Sequence, residues 1–233
     1  MANKSRRVPR RLESLSRDRI IDASIELLDR VGAGGLTFRA LSEKLATGPG
    51  AIYWHVDNKS DLLTASCDAV VARSLDDCAA SATPAAAIRS LALALFDAID
   101  AHPWVGSALT LAPGQSPMLR ILERIGQQVR ALDVPSAQQW QTASALLNYI
   151  LGVGGQNAAN GQLARTQGLV RADMLDSVAT AWSQLDASMY PFVRSVATQL
   201  PAHDDRQDFL AGVDLLLRGI TATHDSCSST ENG

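Results

Sequence analysis

The residues of this 233-residue chain that could do chemistry cluster between positions 37 and 59. Thr37 and Arg39 open one short segment, Pro49-Gly50-Ala51 and Tyr53-Trp54-His55 make a second, and Lys59 follows. Their chemistry is non-covalent. A tyrosine hydroxyl (Tyr53), an ammonium (Lys59) and a hydroxyl beside helix-start amides (Thr37) each suit a phosphate oxygen. An arginine fork (Arg39) suits the O6 and N7 acceptors of guanine. His55 and Trp54 close the second segment and can reach phosphate or sugar, although core packing would equally explain Trp54. Gly50 and Ala51 can approach a thymine methyl but offer no side-chain hydrogen bond. Sequence readout therefore falls on Arg39, on the basic residues that precede the segment, and on DNA shape.

Catalytic sets are missing. There is no Gly-x-Ser-x-Gly, no phosphate-binding loop motif and no convincing Ser/His/Asp group. The four histidines (His55, His102, His203 and His224) have no metal-ligand spacing. The expectation is no catalytic residue, no metal and no cofactor.

The elements that must position the cluster read as helices throughout, with no sustained strand alternation. A first helix is expected over Ser16–Val31, capped by Ser16 and ended by Gly32 and Gly34-Gly35. A second starts at the cap Thr37 and runs to about Leu45. A third spans Pro49–His55. Asn58, with Asp61 three residues on, caps a fourth that runs to about Ala80. This is a helix-turn-helix, whose second member enters a DNA major groove. Phe38 and Ile52 fall to its core. Further helical segments are expected near 84–101, 103–111, 116–132, 135–159, 174–199 and 204–222, with a loop at 160–173 and Pro191 breaking the segment that contains it. Residues 223–233, rich in Ser and Thr, read as an unstructured tail.

Charge divides the chain along the same line. The net charge is +4 over residues 1–60 and −7 over 61–233, which gives the overall −3. A basic reader on an acidic body fits a protein whose body must stay off phosphate. The arm at 1–15 carries Arg6, Arg7, Arg10 and Arg11, which could lie in a minor groove or simply keep the protein dissolved. No apolar run reaches the roughly 20 residues of a membrane span. The basic start has no apolar stretch behind it, so no signal peptide is read. Three cysteines, of which Cys67 and Cys78 stand too far apart on one expected helix to form a disulfide, agree with a reducing compartment, and a cytoplasmic location is expected.

The run Leu36-Thr37…Arg39…Leu41…Lys44-Leu45…Ile52-Tyr53-Trp54-His55-Val56…Asn58-Lys59…Leu62-Leu63 resembles the tetracycline-repressor (TetR) family of bacterial transcription regulators. Looser pieces, His102-Pro103-Trp104-Val105, Asn148-Tyr149-Ile150-Leu151-Gly152 and Phe209–Ile220, resemble the C-terminal domain of its tetracycline-repressor class. The resemblance implies an all-α protein with a helix-turn-helix domain at about 16–62 and a larger effector-binding and dimerisation domain at about 63–222. It implies a homodimer on palindromic double-stranded operator DNA, with helices near 135–159 and 204–222 pairing with their copies. Phe209, Val213, Leu216, Leu217 and Ile220 are the expected interface, on one broad apolar face. Glycines 152, 154 and 155 in a helical stretch call for a close backbone approach at a dimer seam, for room for a ligand, or for a helix that ends or frays near Gly152.

The metal-ligand positions of the tetracycline repressors align here with Ala112, Asn148 and Gln156, which are poor ligands for a hard cation. The expected effector is instead a small, largely apolar organic molecule bound without metal. Candidate pocket residues are Trp104, Leu109, Leu122, Ile125, Trp140, Asn148, Leu151 and Gln156, any of which plain core packing would also explain. The competing reading is a constitutive or architectural DNA-binding regulator with no effector.

Overall fold

The computed structural model describes residues 15–76, 78, 81–111 and 114–228, with residues 111 and 223–228 described by backbone alone. Among the described residues there are eleven α-helices, one 3₁₀ turn and no strand. Two compact units divide between Ser66 and Cys67.

The first unit is built from short, capped helices. Helix α1 (Arg17–Gly35) starts on Ser16, whose Oγ accepts from the Arg19 amide at 3.3 Å. Gly32 holds φ at +69°, a backbone setting that favours glycine, and kinks the helix three residues before its end. Helix α2 (Phe38–Leu45) is capped by Thr37, which accepts from the Ala40 amide at 3.1 Å, and it ends on Ala46 in the left-handed conformation. The Thr47 amide then bonds back to the Ser42 carbonyl at 3.0 Å and closes the turn. Helix α3 (Pro49–Tyr53) begins on a proline, which suits a first turn. Helix α4 (Lys59–Asp76) is capped by Asn58, whose Oδ1 accepts from the Asp61 amide at 3.0 Å while its amide group donates to the Asp61 carboxylate. Ile20, Leu28, Leu36, Leu41, Ile52, Val56 and Leu62 are the buried core. Phe38 is half-buried.

In the second unit the elements after α4 are α5 (Pro84–Ala101), α6 (Trp104–Leu111), α7 (Ser116–Ala131), α8 (Ser136–Gln167), α9 (Arg171–Ser183), α10 (Pro191–Val196), a 3₁₀ turn (Ala197–Ala202) and α11 (Asp205–Ser228). Helices α5, α7, α8 and α11 share a core of Ile88, Leu95, Phe96, Ile99, Ile121, Ile125, Val129, Leu146, Ile150, Phe209 and Val213. Phe96 stacks on Phe209 with centroids 4.6 Å apart, and Tyr149 stacks on the same ring at 5.6 Å. Arg206–Asp97 and Arg89–Asp214 ion pairs tie α11 to α5.

Four expectations are corrected. The segment 160–173 is not a loop: α8 continues to Gln167 and only residues 168–170 interrupt it. Ala, Gln, Leu and Arg favour helix strongly enough to carry the chain past Asn160-Gly161, and the terminating glycine is Gly168 at φ +63°. The segment 174–199 is not one broken helix. Helix α9 stops at Ser183, Asp186 collects the amides of Ser188 and Met189, and Pro191 opens α10. Helix α4 ends at Asp76 rather than Ala80, so Cys78 lies past its end. Helix α11 runs to Ser228, into the expected tail.

Of Gly152, Gly154 and Gly155, an added Cβ would meet a neighbour within the chain only at Gly154. A Cβ on Gly154 would stand 3.3 Å from Ile99 Cδ1, and one on Gly106 of α6 would stand 3.7 Å from the Gly155 Cα. The close approaches are to α5 and α6 of the same chain.

Candidate nucleic-acid interface and regulatory body

Helices α2 and α3, joined by the turn Ala46–Gly48, present an array of exposed groups. Thr37, Arg39, Pro49, Gly50, Tyr53, Trp54 and Lys59 are exposed, with Ala51 and His55 half-buried. Open space surrounds Gly48 and Gly50, where an added Cβ would meet nothing within 4 Å. The Tyr53 ring stacks on Phe38 at 4.5 Å, which fixes the ring while the side chain stays half open to solvent. Trp54 is 89% exposed, which decides against its core reading. The Arg39 Nε sits 3.1 Å from Glu43 Oε1 one turn on, a pair open to water that adds little stability and can be exchanged for a base or a phosphate. The Thr37 hydroxyl is committed to capping α2, so a phosphate there would meet amides and the far side of the oxygen. Arg6, Arg7, Arg10 and Arg11 lie outside the described residues.

The body departs more from expectation. The eight effector candidates do not converge. Trp104, Leu109 and Ile125 are packed core, while Trp140, Asn148 and Gln156 are exposed. Leu122 and Trp140 line an open groove of about 570 Å³ between α7 and α8, and Leu151 is half-buried elsewhere on α8. Helical spacing located apolar positions but could not say which neighbour each one meets. Ala112 lies outside the described residues. Among the described residues no three His, Cys, Asp or Glu side chains converge to hold a metal ion.

The expected interface of α11 also splits. Phe209, Val213 and Leu217 are buried in the chain's own core, so they are not free to meet a partner. Leu216 and Ile220 instead line a groove of about 550 Å³ with Leu215, Gly219 and the α8 residues Gln138, Thr142 and Ala145. Leu215 is 63% exposed. Leu215, Gly219 and the α8 residues escaped the sequence reading, which treated one broad apolar stripe as one interface. The stripe serves two neighbours, and a lone glycine within it was the available signal.

The fold and the exposed helix pair are those of a helix-turn-helix DNA-binding protein. A sequence model of the family described as "Bacterial regulatory proteins, tetR family" matches residues 20–65. The structure of the transcriptional regulator SCO7222, a TetR from Streptomyces coelicolor, is 51% identical, covers 91% of this chain and 100% of its own, and superposes with a TM-score of 0.83. The tetracycline repressor protein of class D from Escherichia coli is 28% identical over 88% of this chain and 89% of its own length. BioQ, in a crystal structure with its double-stranded DNA operator, is 29% identical over 66% of this chain and 92% of its own, with a TM-score of 0.57. The chain belongs to the TetR family of transcriptional regulators. No described helix is long and apolar enough to cross a membrane.

Proposed function

We propose that this protein is a ligand-responsive repressor that grips a palindromic operator as a homodimer and lets go when a small, largely apolar organic molecule binds its body. One observation carries the DNA half of this reading: Arg39, Tyr53, Trp54 and Lys59 are all exposed along α2, α3 and the start of α4, with Thr37 capping α2, a proline opening α3 and Asn58 capping α4. Exposed aromatic and cationic groups on a pre-set backbone suit a phosphate-lined groove. In this reading Tyr53, Lys59 and the α2 amides hold phosphates, and Arg39 reads a guanine. His55 and Trp54 touch phosphate or sugar, and Pro49-Gly50-Ala51 let the α3 backbone come close to the bases. Arg6, Arg7, Arg10 and Arg11 add minor-groove contacts. The relative BioQ, crystallised with its operator, supports this half.

Dimerisation is supported by the open α8–α11 groove with Leu215, Leu216, Gly219 and Ile220. The palindrome follows from it, since two copies related by a two-fold axis read two half-sites. The effector half is supported by the body of well over a hundred residues, which DNA reading alone does not require. The test is selection of binding sites from random duplex DNA, followed by sedimentation of the complex and a thermal-shift screen of small molecules. A palindrome bound by two copies, and a hit that releases it, are expected. Non-palindromic selection sinks the dimer reading. Absence of any releasing hit favours the constitutive regulator.

A further inference from the structure

Between Thr37 and Val56 the chain carries a single acidic side chain, Glu43. It stands on the exposed face of α2, one turn beyond Arg39 and away from the buried Leu41. A carboxylate on a surface meant for phosphates works against binding, because like charges repel across the groove. Holding its neighbour Lys44 does not explain it, since Lys44 is already paired with Glu26 of α1 at 2.5 Å. Nor does stability. The Arg39 and Glu43 side chains are 89% and 67% exposed, and an ion pair so open to water adds little.

The nitrogen that Glu43 holds points to its role. Its Oε1 accepts from Arg39 Nε at 3.1 Å. A guanidinium has several N–H donors, and this bond uses the one nearest the stem. Among the described residues no hydrogen bond within the chain engages Nη1 or Nη2. Those two terminal nitrogens form an edge of the fork that spans the O6 and N7 acceptors of guanine. The carboxylate can therefore keep its bond while the fork reads a base. The same negative charge weakens the pull of a phosphate on the guanidinium, yet leaves its shape match to the neutral guanine edge intact.

We propose that Glu43 is a positioning residue for base readout: it pins the stem side of the Arg39 guanidinium so that both terminal nitrogens are presented together to one guanine. This rests on the repressor reading above, in which Arg39 meets a base. An arginine on an open helix face samples many rotamers, and ordering it costs binding energy. Glu43 restricts those settings before DNA arrives, and affinity scales with the fraction of molecules already in the competent one. The carboxylate thus trades some general attraction to DNA for discrimination at one base pair.

The test compares wild type with Glu43→Ala, Glu43→Gln, Arg39→Ala and the double variant Glu43→Ala with Arg39→Ala. Each is bound to the duplex that wild type selects, to a series with every base pair changed in turn, and to random duplex. Melting temperatures should move by less than about 4 °C, since both side chains are exposed. Glu43→Ala should weaken the selected duplex about fivefold, the factor lost when an aimed side chain falls to a fifth of its competent population. It should relax preference at the same base pair as Arg39→Ala. Random duplex should bind as well or better, because a repelling charge is gone. Glu43→Gln should lose less, since its amide oxygen can still accept from Nε. With Arg39 already replaced, removing Glu43 should cost nothing further. Unchanged base preference in Glu43→Ala, a loss at a different base pair, or an additive loss in the double variant overturns the proposal. So does uniform weakening by Arg39→Ala, which would leave Arg39 on a phosphate. If wild type selects no duplex, the repressor reading fails and takes the proposal with it, a result that the wild-type arm alone sets apart.

Discussion

The two units handle apolar and polar surface in opposite ways. In residues 15–66 helix ends are set locally: Ser16, Thr37 and Asn58 cap starts, and Ala46 closes α2. Side chains then point outward for use, and a small core of Ile20, Leu28, Leu36, Leu41 and Ile52 suffices. In the body, roles are assigned by partners far along the chain. Phe209 meets Phe96 and Tyr149 across 113 and 60 positions, whereas Leu216, two turns on, is half-buried and lines the groove with α8. Local rules write the reader, and long-range packing writes the body.

That contrast can be broken most sharply on α11. Phe209→Ala should cost about 3–5 kcal/mol of unfolding free energy, read in denaturant melts, because it empties a stacked core site. Leu216→Asp should leave the unfolding midpoint near wild type and yield monomers in sedimentation velocity. If both variants unfold the protein, or neither dissociates it, the division of the stripe is wrong. In the reader the effects are smaller and specific. Arg39→Ala should cost roughly 1–3 kcal/mol and relax preference at a single base position in a mutated-operator series. Uniform weakening across all sequences would make Arg39 a phosphate contact. Lys59→Ala should weaken specific and random DNA alike and lower the salt slope by about 1.

The smallest effect concerns Cys67. Burial first, then Asp68, pushes its thiol up to about 12 from an ordinary 9.0. Below pH 9 the thiol is protonated in folded and unfolded chains alike, and its contribution is constant. Above pH 9 the unfolded chain loses the proton and the folded one keeps it, so stability falls as pH rises toward 12. Cys67→Val should flatten that part of the melting-temperature profile between pH 8.5 and 10.5, in experiments of about that range. In the folded protein Cys67 should resist alkylation at about pH 8.

Legibility followed the same divide. Caps at Ser16, Thr37 and Asn58, the break of α1 within Gly32–Gly35 and the start at Pro49 are properties of a few adjacent residues, and sequence alone placed them. The α8 extension was missed because Asn160-Gly161 looks like a terminator when neighbours are unseen, while Ala158 and Ala164 bury and hold the helix. The pocket candidates were apolar positions without addresses. Trp140 and Trp104 look alike in sequence, yet the first is 67% exposed and the second 6%. The Arg120–Asp68 ion pair was illegible for the same reason, since its partners are 52 positions apart.

Gly212 and Tyr149 set a further condition on the body. The phenol donates to the Phe209 carbonyl at 3.1 Å and fills the place where a side chain on residue 212 would begin, with Cε2 at 3.0 Å from that point. The ring is held by its stack on Phe209 and cannot swing aside cheaply. Knob and notch therefore act as a key that stops α11 from sliding along α8. Since Leu215, Leu216 and Gly219 follow within two turns, the key also fixes how high they stand against Gln138, Thr142 and Ala145. The shape of that groove is thus machined by a tyrosine and a missing methyl group that are not among the residues lining it.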